Sequence, residues 1–411
     1  MNKIKKEQLE FLDWEFGVFF HFGIRTFYEG HKDWDMQDMP LSAFNPKKLD
    51  CENWIKTVRD AGAKYAILVC KHHDGFANWP SEYTEYSVKN TPWKDGKGDV
   101  VKDFTDACRK YGIKVGLYYS PADFTTGRHE KKDYDTYFIN QICELLGNYG
   151  KIDYLWFDGC GSENHEYDTK RIVKKIRELQ PEILLFNMWD PDTRWVGNEE
   201  GIAPADNHNI VRDLSFSVQT TTKEIMEEER FLPVECDCRI RFRNWFYSES
   251  DAHTLKSVDE LMSLYHYSVG RGANLLVNIG PDRDGLLPKK DAARLVEFGK
   301  EIKKIYENPI ADISYAKIDG NRYTISFDEQ KLVRRIIIEE DMSNSERGQH
   351  AEEFEINIRP VSYLQPIPFF RGTTIGHKRI IELLPVPAEQ ITVSVTKESG
   401  KTTLKNIQIF E

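Results

Sequence analysis

Residues 51–75, "CENWIKTVRDAGAKYAILVCKHHDG", read as a helix, a stop, a buried strand and a polar exit. Asp50 stands at an N-cap position, and Trp54, Ile55, Val58 and Ala61 fall on one helical face before Gly62. From Tyr65 to Cys70 the chain is apolar without a break, the pattern of a strand covered on both faces. It then runs straight into Lys71, His72, His73 and Asp74. Such groups are costly to bury unpartnered, so a strand that ends this way is expected to deliver its histidines to a polar rim.

The same unit recurs. Residues 99–112 place Val100, Val101, Phe104, Ala107, Cys108 and Tyr111 on a helical face, stop at Gly112 and lead into "KVGLYYS". Residues 134–149 carry Tyr134, Phe138, Ile142, Leu145 and Tyr149, stop at Gly150 and lead into "DYLWFD". Further strands are expected at 16–21, 182–187, 231–235 and 273–279, and helices at 168–180, 257–270 and 288–306. That makes seven strands, with an eighth expected in the irregular stretch 190–230. Parallel strands alternating with helices over this length predict an α/β fold, a (β/α)8-like TIM-type barrel, over residues 1–310. A doubly wound sheet is the rival, but no glycine-rich phosphate loop follows the first strand. From residue 311 to 411, segments such as "RYTISF", "VRRIIIEE" and "ITVSVTK" alternate instead, which predicts a small antiparallel β-sandwich.

Composition narrows the partners. A formal net charge of −11 on 411 residues argues against nucleic acid, whose phosphates demand a basic surface. No stretch approaches a membrane span, and "MNKIKKEQLEFLDWEF" lacks the apolar core of a signal peptide, which sets a cytoplasmic expectation. The seven cysteines are odd in number and scattered, as reduced thiols would be. "ECDC" is too tightly spaced for a zinc knuckle. No cofactor is called for.

In a barrel of this kind the chemistry sits at the C-terminal ends of the strands. The proposed ends read His21, His72 and His73, Tyr118 to Ser120, Asp158, Asn187, Glu235 and Asn278. Asp158 follows Trp156 and Phe157 at the end of a very apolar strand, a placement that demands a partner or a task. Three chemistries fit. One is a metal-dependent barrel hydrolase with His21, His72, His73 and Asp158 as ligands. The second is glycoside cleavage by two carboxylates, with histidines and tryptophans gripping the sugar. The third is a non-catalytic sugar-binding protein, which needs the rings but neither carboxylate.

The segments "FGVFFHFG", "AGAKYAILVCKHHDGFANWPS", "YGIKVGLYYSPADF", "NYGKIDYLWFDG" and "VGRGANLLVNIGPDRDGLLP" together resemble glycoside hydrolase family 29, the retaining α-L-fucosidases. They occur in that family's order over residues 14–306, and the resemblance implies a barrel followed by a β-sandwich. "RWVGNEEG" and "ECDCRIRFRNWFY" are similar to the subgroup that removes α-1,3- and α-1,4-linked fucose from branched, Lewis-type oligosaccharides. The chain departs from the pattern at His21-Phe22-Gly23, where the family has His-Trp-Gly. It departs again at Arg243-Asn244-Trp245-Phe246, where the subgroup has Pro-Gly-Trp-Phe.

The resemblance implies that Asp158 is the nucleophile and Glu199 the acid/base. Glu235, at a proposed strand end, is the alternative acid/base. His21, His72, His73, Tyr118 and Trp156 are implied as sugar ligands, with Asp33-Trp34 standing where the family has Glu-Trp. Double displacement would set the two carboxyls about 5–5.5 Å apart.

Overall fold

The computed structural model describes residues 3–30, 37–124, 127, 131–163, 165–218, 220–343, 347–361 and 363–411. The first part of the chain supplies β1 (Phe16–Phe20), β2 (Tyr65–Lys71), β3 (Lys114–Tyr119), β4 (Tyr154–Phe157), β5 (Leu184–Phe186) and β6 (Arg194–Trp195). A hairpin of β7 (Ile210–Ser215) and β8 (Lys223–Phe231) follows, then β9 (Val234–Arg239) and β10 (Asn274–Ile279). All but the hairpin form one eight-stranded sheet in the order β5-β4-β3-β2-β1-β10-β9-β6, with neighbours parallel. A parallel bridge between Phe186 and Thr193 joins the two ends, so the sheet closes into a barrel. The eighth strand expected in 190–230 is the two-residue β6.

The helices are α1 (Lys6–Leu12), α2 (Cys51–Asp60), α3 (Val100–Tyr111), α4 (Tyr134–Asn148), α5 (Thr169–Leu179), α6 (Val258–Tyr267) and α7 (Lys289–Tyr306). Their ends follow the local signals. The Asp50 carboxylate accepts the Asn53 N–H at 2.9 Å, and Asp99 does the same for Lys102 at 2.8 Å. α1 was not expected from the sequence pattern. It places Phe11 among Trp14, Tyr65 and Tyr154 inside the barrel, and the Phe11 carbonyl accepts Asn274 Nδ2–H at 2.7 Å. Among the described residues no helix lies between β5 and β6, and the β7–β8 hairpin stands where one is expected between β6 and β9. Among the described residues, no helix is long and apolar enough to cross a membrane.

Alternation divides the strands between two cores. Phe19, Tyr65, Ile67, Val69, Tyr118, Tyr154, Trp156, Phe186 and Leu276 fill the barrel, while Val18, Phe20, Leu68, Cys70, Leu117 and Leu155 face the helices. Gly17 makes the inner layer possible, since a Cβ there would stand 2.4 Å from the Tyr65 ring. With that space open, Tyr65 reaches across the barrel and donates to Glu235 Oε2 at 2.6 Å.

Lys71, first of the four polar residues after the apolar run, turns outward. It is fully buried, with Nζ 3.1 Å from the Tyr134 hydroxyl, 3.7 Å from Asp123 Oδ2 and 4.4 Å from the Tyr119 ring centre. His72 and His73 continue to the rim.

The C-terminal part forms a single antiparallel network of β11 (Ala311–Asp312), β12 (Ala316–Asp319), β13 (Arg322–Glu340), β14 (Ala351–Arg359), β15 (Ile367–Gly372), β16 (Arg379–Glu398) and β17 (Leu404–Phe410). Its own core includes Ile325, Ile336, Phe354, Ile391, Val393 and Ile407. Segments that look like separate strands in sequence are joined here. "RYTISF" and "VRRIIIEE" both lie in β13, where register shifts between Ser326 and Lys331 and between Val333 and Arg335 absorb the polar interruption.

Candidate active site

β4 ends at Phe157, so Asp158 emerges at the barrel's C-terminal rim. Its Oδ1 accepts the Cys160 N–H at 2.9 Å, and Oδ2 accepts the Tyr118 hydroxyl at 2.9 Å. His73 Nε2 lies 3.5 Å from Oδ2. The Ser120 hydroxyl donates to the Ala122 carbonyl at 3.0 Å, so it accepts from His73 Nδ1–H at 2.5 Å and fixes the ring. Burial pushes the Asp158 carboxyl toward its neutral form. The charge and hydrogen bond of His73, the Cys160 N–H and the Tyr118 hydroxyl outweigh it and hold the pKa below the ordinary aspartate value. The side chain keeps about a quarter of its surface open to the cavity, so a held anion still faces a ligand.

That cavity, about 620 Å³, gathers residues from nearly every barrel strand: His21, His72, His73, Tyr118, Trp156, Asp158, Asn187, Trp195, Glu199, Asp237 and Trp245 among them. Its wall includes a ladder of rings. His72 stacks on Tyr118 at 5.6 Å between centres, Tyr118 on Trp156 at 5.3 Å, and Trp156 on Phe186 at 4.1 Å. Flat apolar faces beside hydroxyl-sized polar groups suit a sugar. Both adjacent histidines line the cavity, because the strand ends at Lys71 and its strict alternation ends with it.

His21 is neutral. Desolvation brings its pKa down to about 3, against the opposing pull of Asn278 and Asp158. Asn278 Nδ2 donates to the Trp245 carbonyl at 2.7 Å, so Oδ1 accepts His21 Nδ1–H at 2.7 Å and Nε2 remains the ring's acceptor. His72 is likewise driven toward its neutral form by burial.

Glu199 lies on the loop after β6. Its Oε2 accepts from Trp245 Nε1 at 3.3 Å and stands 3.5 Å from Arg239 Nη1. Glu235 occupies a different place from the one its sequence suggested. β9 begins at Val234 and runs to Arg239, so Glu235 lies near the start of its strand and not at the end. The expected strand began earlier because Phe231 continues the apolar run, but that residue closes the β7–β8 hairpin. Glu235 is fully buried in the barrel, accepting from Tyr65, from Trp156 Nε1 at 2.8 Å and from Tyr154 at 3.5 Å. Burial raises its pKa to about 7 in spite of those donors.

Two residues on, the same face of β9 brings Asp237 into the cavity wall, a residue that reading the strand end at Glu235 missed. Continuing the alternation from Glu235 would have found it. Asp237 Oδ1 accepts Trp195 Nε1–H at 2.7 Å, and burial, with the Glu199 charge beside it, raises its pKa well above the ordinary value. Asp33 and Trp34 lie outside the described residues. Among the described residues no group of His, Cys, Asp and Glu converges as a metal ligand set would.

Gly159 links the rim to the hairpin tip, where a Cβ would stand 2.6 Å from the Phe216 carbonyl oxygen. Phe216, Ser217 and Val218 then cover the cavity from that side.

A TIM-type barrel whose rim carries a held aspartate and a glutamate lining one ring-walled cavity is the frame of a glycoside hydrolase. Residues 1–307 match the family model described as Alpha-L-fucosidase. The chain belongs to that family, glycoside hydrolase family 29. It is 31% identical to Alpha-L-fucosidase 1 of Arabidopsis thaliana over 95% of this chain and 84% of that protein. A solved putative alpha-L-fucosidase from Bacteroides thetaiotaomicron superposes with a TM-score of 0.88 at 31% identity, covering 100% of this chain and 98% of that one. A Ruminococcus gnavus family 29 fucosidase, solved in complex with fucose, gives a TM-score of 0.85 at 26% identity over 100% of this chain and 95% of that one.

Proposed function

We propose that the protein is a retaining, exo-acting α-L-fucosidase that releases terminal α-1,3- and α-1,4-linked fucose from branched oligosaccharides. Residues 1–310 would form the catalytic unit and 311–411 the accessory β unit. The observation that carries this reading is Asp158, held ionised at the rim of a cavity that Glu199 also lines.

Asp158 attacks the anomeric carbon while Glu199 protonates the departing glycosidic oxygen, which forms a fucosyl ester and frees the aglycone. Water, deprotonated by Glu199, then hydrolyses the ester with a second inversion, so the sugar leaves with its α configuration. Glu199 is favoured over Glu235 because it lines the cavity, whereas Glu235 is enclosed by Tyr65, Tyr154 and Trp156. Neutral His21, its Nδ1–H held by Asn278, accepts from a sugar hydroxyl through Nε2, and neutral His72 offers one donor and one acceptor nitrogen. His73 steadies the carboxylate, and the stacked rings of Tyr118 and Trp156 line the cavity. The linkage preference is supported by the likeness of "RWVGNEEG" and its neighbours to the α-1,3/1,4 subgroup.

The test is an aryl α-L-fucoside. Asp158→Ala should lose nearly all turnover and regain part of it with added azide. Wild-type release of fucose from a Lewis trisaccharide should far exceed release from 2′-fucosylated lactose. An unaffected Asp158 variant would overturn the mechanism, and the reverse substrate order would overturn the linkage assignment alone.

A further inference from the structure

Beside the sugar cavity lies a wider groove of about 1070 Å³, open to solvent, which shares Glu199, Val218 and Trp245 with it. The shared acid places this groove on the leaving-group side of the bond to be cut. Tyr28, Trp245 and Tyr247 give it aromatic faces, and Arg25, Arg239 and Arg243 enter its wall.

Most of these charges are matched. Arg25 Nε lies 3.4 Å from Asp74, Arg239 lies 3.5 Å from Glu199 and 3.6 Å from Glu200, and Glu29 pairs with Arg283 at 3.0 Å. Arg243 is the exception. It is exposed, and among the described residues no carboxylate comes within ion-pair distance of it.

The loop that carries Arg243 is nevertheless firmly held. Buried Arg241 binds Asp291 at 2.7 Å and Asp251 at 3.0 Å, and Asn244 donates its N–H and Nδ2–H to Asp251 Oδ2 at 3.1 and 2.9 Å. A fixed backbone, an exposed guanidinium and neighbouring aromatic faces are the parts of a preorganised anion-reading subsite.

We infer that the leaving group carries an anionic substituent, a carboxylate or a sulfate, and that Arg243 reads it. The inference rests on the fucosidase reading and deepens it: the substrate class is an acidic fucoside, not a neutral one. Fucose sits in the deep cavity, the next sugar spans the groove, and its charged group meets the guanidinium without displacing any pair already made.

The experiment compares 4-carboxyphenyl and 4-carbamoylphenyl α-L-fucosides, near-isosteres that differ in charge. Wild-type kcat/KM should favour the carboxylate by roughly five- to tenfold, the scale of one charge-assisted contact. Arg243→Gln should erase that ratio, Arg243→Lys should keep much of it, and added salt should lower it. Because the ratio is taken within each variant, a change in the amount of folded enzyme cancels. A 4-sulfophenyl fucoside distinguishes the sources: a gain with both anions marks a charge reader, and a gain with the carboxylate alone marks a carboxylate-specific one. A ratio near one in the wild type, or one that survives in Arg243→Gln, overturns the inference while leaving the fucosidase reading intact. No release from any of the three overturns both.

Discussion

Trp156 donates its indole N–H to Glu235 Oε1 at 2.8 Å, two residues before Asp158 in the chain. The carboxyl that rivals Glu199 in the sequence thus holds a ring of the cavity wall. The two carboxyls should therefore fail differently. Glu199→Ala should cost about 10²–10⁴-fold on a fucoside with a poor leaving group and much less with 4-nitrophenol, because an activated leaving group needs no proton. Glu235→Gln should cost the same modest factor on both, since it disturbs only the position of Trp156. Steady-state rates across a series of aryl leaving groups read this directly. A leaving-group dependence that appears in Glu235→Gln and not in Glu199→Ala would reverse the assignment.

Glu235 also leaves a mark on stability. Its folded pKa of about 7 lies above the ordinary 4.5, so between these values the unfolded chain loses a proton that the folded chain keeps. Stability from this group is whole below pH 4.5 and falls as pH rises toward 7, by about 1.4 kcal/mol per unit, then levels off. His21 acts in the opposite sense. Its folded pKa of about 3 lies below 6.5, so its contribution is whole above pH 6.5 and falls as pH drops. Urea unfolding of wild type and Glu235→Gln from pH 4.5 to 7.5 should show the variant gaining on the wild type as pH rises. A difference that stays constant with pH would contradict the reading.

Gly17 tests the packing beneath the site. A Cβ there meets the Tyr65 ring at 2.4 Å, and Tyr65 in turn is bonded to Glu235. Gly17→Ala should destabilise by about 1–3 kcal/mol, the usual cost of overpacking a filled core. It should also lower kcat/KM, because Trp156 hangs from the same carboxyl. Denaturation together with kinetics checks both, and an unperturbed protein would mean that the inner layer is softer than its contacts imply.

Lys71 anchors the outer side of the strand that delivers His72 and His73. Lys71→Met removes a buried cation 3.7 Å from Asp123, itself fully buried. Losing one member of a buried pair costs about 3–5 kcal/mol, so a fall of that order in unfolding free energy is expected. A loss below about 1 kcal/mol, a value ordinary for exposed pairs, would show that the pair is not structurally required.

How much of this was legible in the chain varies with the physics at each position. The units around 51–75, 99–119 and 134–158 were plain, because helix caps, glycine stops and apolar runs are local signals. Asp158 stood out for a similar local reason: a carboxylate after "YLWF" has few bland explanations. The barrel's closing strand did not stand out, since two residues held by a bridge from Phe186 to Thr193 leave no periodicity. The β9 register was lost because the apolar character of Phe231 and Leu232 belongs to the hairpin and its exit. With the register went the places of Asp237, in the cavity wall, and of Glu235, buried near the start of its strand. Lys71 faces the helices because alternation through "YAILVCK" still governs it.

The central claim is a covalent bond between Asp158 and a deoxy-sugar. A 2-deoxy-2-fluoro-α-L-fucosyl fluoride should inactivate the enzyme in step with one added fluorofucosyl mass, and peptide mapping should place that mass on Asp158. Label on Glu199, Glu235 or Asp237, or turnover of fucosides with no trapped adduct, would contradict it.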